Sequence, residues 1–381
     1  MRKIIFVILL LSLLAGCSES NKTVMLLADD LIEEVNIEDV ATDIQVFSVK
    51  CSEPMKGIEM FYGIGDYIFG VSEDHRTVYW IKGDEVVAKL DKYGRGHGEY
   101  LYIDGIAYTP EDSILFIRTS DSRLLRYQGL NCRFIGETQD FPSATPFIAV
   151  DGRTILANSD ILGDDSNHHG LCLIDAETGQ MTKEIFPMDN GQNLFFSEVL
   201  YKTGDSVIFI VPGPGNDDSK VYLYNDGKLS NLLTFNYDNK WRVPESVLIR
   251  EVPANWTEDF SIVQRVQEMC TYRMNGSCYA GGEWVCCHEG RLMFWSIYSF
   301  ENMVLNVAKG SKVKRYSVTM PGVDGCLFPL GTFGDYYISA FNVELGRSIS
   351  DESKLTPLGK RIKQEIDKSD GDPVLMLYHI K

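Results

Sequence analysis

GDYIFGVSEDHRTVYWIKGDEVVAKL, residues 65–90, holds three short runs of aromatic and β-branched residues separated by turn chemistry. Gly65-Asp66 opens the first run, Tyr67-Ile68-Phe69-Gly70. A polar loop leads to Thr77-Val78-Tyr79-Trp80-Ile81, and Gly83-Asp84 to Glu85-Val86-Val87-Ala88-Lys89-Leu90. Apolar runs this short, bounded by Gly, Asp and charged residues, read as strands of an antiparallel meander rather than as helices.

The unit recurs. Its turn and opening strand reappear at Asp112-Ser113-Ile114-Leu115-Phe116-Ile117, Gly152-Arg153-Thr154-Ile155-Leu156 and Asp205-Ser206-Val207-Ile208-Phe209-Ile210. Two more copies follow, Gly290-Arg291-Leu292-Met293-Phe294-Trp295 and Gly334-Asp335-Tyr336-Tyr337-Ile338-Ser339. Counted from Asp66, Asp112, Gly152, Asp205, Gly290 and Asp335, the intervals are 46, 40, 53, 85 and 45 residues. A four-stranded propeller blade occupies roughly 40–50 residues, and a pair of packed sheets would impose no such spacing. The long interval contains residues 256–274 (WTEDFSIVQRVQEMCTYRM), which carry apolar residues at helical spacing. Residues 353–366 (SKLTPLGKRIKQEI) predict a second helix inside the last repeat.

The reading is therefore all-β: a six-bladed β-propeller of four-stranded antiparallel blades over residues 41–381, with two short helical insertions. A ring must close, because an open edge exposes unpaired backbone groups. Asp43-Ile44-Gln45-Val46-Phe47-Ser48-Val49-Lys50, ahead of the first repeat, is the expected closing strand. Its expected neighbour is the C-terminal run Pro373-Val374-Leu375-Met376-Leu377-Tyr378-His379-Ile380 in the last blade.

The N-terminus carries an address. Arg2 and Lys3 precede an apolar core, and Leu14-Ala15-Gly16-Cys17 follows it. This is a secretory signal, too short for a membrane span. Small residues before Cys17 admit the processing peptidase, and its thiol takes the lipid. Residues 1–16 read as the cleaved signal and 17–40 as a lipid-anchored tether beginning Ser18-Glu19-Ser20-Asn21-Lys22. Ser18 rather than Asp follows the lipidated cysteine, which points to the outer membrane and leaves periplasmic or surface orientation open.

The formal net charge of −18, from 36 basic and 54 acidic residues, becomes −20 once Arg2 and Lys3 leave with the signal. Such a surface repels nucleic acid. The expected partners are the membrane, through the lipid, and an envelope protein, peptide or glycan. Besides Cys17 there are eight cysteines: Cys51, Cys132, Cys172, Cys270, Cys278, Cys286, Cys287 and Cys326. They are too scattered for a disulfide framework and read as small core residues. Cys270, Cys278, Cys286, Cys287 and His288 contain no C-x₂-C pair, and adjacent Cys286 and Cys287 would face opposite sides of a strand.

Asp91-Lys92-Tyr93-Gly94-Arg95-Gly96-His97-Gly98-Glu99-Tyr100 resembles the G-x-G-P-G-E-Y turn between the first two blades of TolB-like or NHL-like six-bladed propeller lipoproteins of Bacteroides-type bacteria. The closing Asp372-Pro373-Val374-Leu375-Met376-Leu377-Tyr378 is similar to that family's last strand. His97 stands where the family has Pro. The resemblance implies a fold and an envelope location and assigns no chemistry. Gly94, Gly96 and Gly98 lack the Lys-Ser/Thr and the βαβ setting of a phosphate loop, and read as turn glycines.

No catalytic residue, metal ligand or cofactor is assigned by the sequence. His75 sits in a polar loop, His379 in the last strand, and His168-His169 and Asn216-Asp217-Asp218-Ser219 in solvated connections. The nucleophile elbow G-x-S-x-G is absent. The preferred reading is a binding or scaffold propeller. The alternative is a metal-dependent hydrolase or lyase of the lactonase type, which would need ligands from several blades converging on the axis.

Overall fold

The computed structural model describes residues 24–381 except 143, 160–170, 187–199, 204–205, 212–218, 238–243, 250–258, 276–281, 300–301, 325–326, 328 and 342–347. Three strands precede the first repeat: β1 (Val24–Leu27), β2 (Ile32–Asn36) and, after the one-turn helix α1 (Ile37–Val40), β3 (Ala41–Ser48). The first blade is β4 (Ile58–Ile64), β5 (Tyr67–Ser72), β6 (Thr77–Lys82) and β7 (Glu85–Asp91). The second is β8 (Ile103–Thr109), β9 (Ile114–Thr119), β10 (Leu124–Gln128) and β11 (Arg133–Thr138). The third is β12 (Ala144–Ala149), β13 (Thr154–Ser159), β14 (Leu171–Asp175) and β15 (Met181–Phe186). The fourth is β16 (Leu200–Thr203), β17 (Ser206–Val211), β18 (Ser219–Asn225) and β19 (Lys228–Tyr237). After helix α2 (Phe260–Asn275) comes the fifth, β20 (Gly282–His288), β21 (Arg291–Ser299), β22 (Asn302–Lys309) and β23 (Lys312–Thr319). The sixth is β24 (Gly331–Phe333), β25 (Tyr336–Phe341) and, beyond helix α3 (Pro357–Lys368), β26 (Val374–Ile380), with β3 as its outer strand.

The six sequence signatures thus share one meaning. Each leads into the second strand of a blade: β5, β9, β13, β17, β21 and β25. The closing strand pairs as expected, Met376 opposite Val46 and Val374 opposite Ser48. First strands of successive blades lie against one another, β8 on β12, β12 on β16, β16 on β20, β20 on β24 and β24 on β4, so they line the ring's axis.

Strand alternation explains why the inner strands read as unbroken apolar runs. In β25, Tyr337 and Phe341 pack towards the fifth blade, whereas Ile338 and Ala340 pack towards the first. A strand buried on both faces has no polar side to alternate with. All seven residues of β26 are buried for the same reason. Helix α3 is capped by the Thr356 hydroxyl, which accepts from Gly359 N–H at 3.1 Å, and lays Leu358 and Ile362 on the core between blades five and six.

The N-terminal segment departs from expectation. The tether read as extending to residue 40 ends by Val24, where β1 adds to β19 in parallel and β2 then adds to β23 in parallel. Blades four and five therefore have five strands. Met25 and Leu27 are buried in the core between those blades. The segment straps the outer edges of blades four, five and six in turn.

The glycine-rich stretch forms the connection between blades one and two. Gly96 N–H donates to the Glu99 carboxylate at 2.7 Å, and the Tyr127 hydroxyl donates to the Gly98 carbonyl at 2.9 Å. Gly98 sits at φ +69, and a Cβ there would lie 2.8 Å from the Phe134 ring. Gly98→Ala is expected to destabilise the protein by about 2 kcal/mol through left-handed strain plus crowding. A melting midpoint equal to wild type would refute this.

Candidate functional site

At the ring end where second strands pass to third strands, the first two blades build a cluster around one histidine. His75, in the β5–β6 loop, takes φ +52, a turn conformation uncommon for a non-glycine residue. Its Nδ1 lies 2.8 Å from the Ile103 carbonyl, which can only accept, so Nδ1 carries a proton. Its Nε2 lies 2.5 Å from Glu59 Oε2 on the innermost strand β4.

Tyr102 stacks on the His75 ring at 4.2 Å between centroids and 12° between planes, and keeps 40% of its surface exposed. Burial, then the charges of Glu59 and Asp104, push its phenol pKa up, so the hydroxyl stays a neutral donor. Asp104, on the innermost strand β8, lies 3.7 Å from Arg118 Nη1. Burial raises its pKa, with Arg118 and His75 opposing. Nearby, the Arg76 guanidinium lies over the exposed Tyr93 ring, 4.0 Å from its centroid. The arrangement is an open aromatic platform backed by a fixed imidazole and bordered by two carboxylates at the mouth of the axis.

The sequence placed His75 in a polar loop and saw no partner. Glu59 and Tyr102 are separated from it by 16 and 27 positions and meet it only when the β5–β6 loop folds against the starts of β4 and β8. Cys286 is buried and Cys287 exposed, the opposite facing expected of a strand. His288 leaves that cysteine group and meets Asp335 and His379 across blades five and six. The lactonase-type alternative requires ligands converging from several blades. Among the described residues, the one three-ligand histidine, cysteine or carboxylate group draws on two neighbouring blades. His168-His169, Asn216-Asp217-Asp218, Cys278, Cys326 and Cys17 lie outside the described residues, and Ser219 opens β18.

Residues 78–263 match the family model DUF5128, described as a 6-bladed beta-propeller, and residues 1–18 match a prokaryotic membrane lipoprotein lipid attachment site. The chain is a lipoprotein-type six-bladed β-propeller. This propeller is similar to a putative exported protein from Bacteroides fragilis, with 12% identity and a TM-score of 0.65 over 94% of this chain and 100% of the other. A member of the duf4221 family from Bacteroides vulgatus shows 10% identity and a TM-score of 0.48 over 90% and 97% of the two chains. Likeness at such identities speaks to the fold alone. No curated protein matches the propeller.

Proposed function

We propose that the protein is a binding module of the bacterial envelope, anchored through Cys17 in the outer membrane, that engages a sugar-containing ligand at the mouth between blades one and two. The observation that carries this reading is the half-exposed Tyr102 ring stacked on His75, with Glu59 and Asp104 beside it. A sugar ring offers an apolar C–H face and a rim of hydroxyls. An aromatic face takes the first and carboxylate oxygens accept from the second. The stacked imidazole and its Glu59 partner hold the platform in place before a ligand arrives, which reduces the ordering cost of binding.

The strap supports the anchoring. Six residues, hence seven Cα steps, lead from Cys17 to Val24, where pairing to blade four begins. Fully extended they reach at most about 25 Å. The outer edge of blade four is thereby kept close to the membrane surface, with the Tyr102 mouth on another part of the ring.

The test is a survey of envelope and host glycans by direct binding to the full-length lipoprotein in detergent. Saturable binding that falls at least tenfold in Tyr102→Ala, a loss of about 1.4 kcal/mol, supports the reading. No glycan binding, or binding indifferent to Tyr102→Ala, overturns it. Pull-down of a protein through the same face would replace the sugar by a polypeptide ligand.

A further inference from the structure

The opposite end of the ring carries a second constellation. His288 closes β20, Asp335 sits in the β24–β25 turn, and His379 lies near the end of β26, paired opposite Thr42. One ligand atom from each lies within 4.8 Å of the other two. His288 Nδ1 is 2.5 Å from Asp335 Oδ2, and His379 Nδ1 is 3.7 Å from Asp335 Oδ1. The two imidazoles are stacked, 4.4 Å between centroids and 20° between planes. His379 and the two hairpin residues belong to different blades or different strands, so this convergence is a product of ring closure.

From this we infer a binding site for one divalent first-row transition cation, of which zinc is the best fit, held by His288, Asp335 and His379. Two imidazoles and a carboxylate are a borderline-soft donor set that suits zinc and its neighbours better than calcium or magnesium. Zinc-to-nitrogen and zinc-to-oxygen bonds of about 2.0–2.2 Å place ligand atoms about 3.3 Å apart in a tetrahedron. His288 Nδ1 and Asp335 Oδ2, at 2.5 Å, lie inside that value, and one ligand atom of each of the three residues lies within 4.8 Å of the others, so side-chain rotations of about an ångström admit an ion.

The surroundings are those of a held ligand set. The Asp335 carbonyl lies 3.1 Å from His379 Nδ1 and accepts its proton, fixing the tautomer and leaving Nε2 with a free lone pair. Ligating histidines are oriented in this way by backbone carbonyls. The Tyr336 ring covers His379 at 3.7 Å, and its hydroxyl donates to Asp43. Asp43 itself comes from an irregularity in the closing strand. The β3–β26 register shifts between Leu377 and His379, and Asp43 takes φ +47 at that point. Bulges re-aim side chains, and strained non-glycine residues concentrate where a site requires them. The bulge brings Asp43 Oδ2 to 3.9 Å from His379 Nε2, at the border of the three-residue group. A bound ion would join blade five to the β24–β25 turn and to β26 of blade six at one point.

The experiment titrates chelator-stripped, full-length lipoprotein with Co²⁺, read by its visible ligand-field absorption, followed by Zn²⁺. One equivalent of Co²⁺ is expected, displaced by Zn²⁺ and not by Mg²⁺ or Ca²⁺. His288→Gln, Asp335→Asn and His379→Gln should each weaken Co²⁺ at least tenfold, Asp43→Asn by less, and the exposed His97→Gln not at all. Circular dichroism of each metal-free variant confirms that the ring is folded. Absence of a saturable signal in the wild-type protein overturns the site. Unchanged affinity in the three ligand variants also overturns it, because the ion would then sit elsewhere. Neither result bears on glycan binding at the Tyr102 mouth, at the other end of the ring.

Discussion

Gly63→Ala and Gly331→Ala are each expected to lower stability by about 3 kcal/mol or more, because the added methyl meets backbone and not a movable side chain. Both glycines lie where the last blade meets the first. A Cβ on Gly63 would fall 2.2 Å from the Thr332 carbonyl oxygen and 2.4 Å from Phe333 Cα. One on Gly331 would fall 2.3 Å from the Phe61 carbonyl oxygen. The innermost strands β4 and β24 approach so closely here that Phe61 N–H reaches the Leu330 carbonyl at 3.4 Å. The only relief is to part the two blades, which opens the packed layer of Ile58, Phe61, Ile338 and Leu377. Gly83→Asn is the matched control. Gly83 has φ +63 and no atom within 4 Å of an added Cβ, and Asn tolerates that conformation at a cost of well under about 1 kcal/mol. Chemical denaturation of the three variants checks the claim. Wild-type stability in Gly63→Ala would show that the ring closes less tightly than this contact requires.

The second large effect concerns the strap. Arg315 is buried in the fifth blade, where its Nε donates to Asn306 Oδ1 at 3.0 Å and its Nη1 to the Ala28 carbonyl at 2.7 Å. Asn306, also buried, donates to Ser296 Oγ at 2.8 Å and to the Val304 and Phe294 carbonyls at 3.1 and 3.2 Å. Arg315→Met keeps most of the volume but leaves the Ala28 and Asn306 oxygens without these donors. The Ala28 carbonyl keeps the Leu31 N–H at 3.3 Å, so with about 1–3 kcal/mol for the stranded Asn306 oxygen and about 1 kcal/mol for the lost bond to Ala28, a loss of about 3 kcal/mol is expected. The local consequence is more specific. Ala28 lies between β1 and β2, so the strap should detach from blades four and five before the ring unfolds. Limited proteolysis should then cut the variant near residues 24–36 while the remainder of the ring resists. Uniform protection of the strap in Arg315→Met would contradict this role.

Blade number and phase were legible in the chain because each blade repeats the same local demand. A turn of Gly or Asp must be followed by an apolar strand buried on both faces, and the six copies fall at blade spacing. The two helices were legible from their apolar periodicity. The closing strand was legible because an open ring exposes unpaired backbone groups and Asp43-Ile44-Gln45-Val46-Phe47-Ser48 lay ahead of the first repeat. The strap was not. Its strands are four and five residues long and interrupted by acidic residues, and their pairing with β19 and β23 spans more than 200 positions. Parallel addition to an outer edge leaves no local signature, because the hydrogen bonds are made by backbone common to every residue.

The two polar clusters mark the same boundary. Local sequence determined the lipid address, the strand pattern and hence the six-bladed ring, since each depends on neighbours within a few residues. Only the tertiary structure decided which histidines have partners. His75 finds Glu59 and Tyr102 because the β5–β6 loop reaches the start of β4 and the start of β8. His288 and His379, 91 positions apart, meet over Asp335 because the last blade is completed next to the fifth. A lone histidine in a turn or at a strand end looks alike in sequence whether or not ring closure will bring a carboxylate within bonding distance, because that encounter is set by blade order and not by the residues beside it.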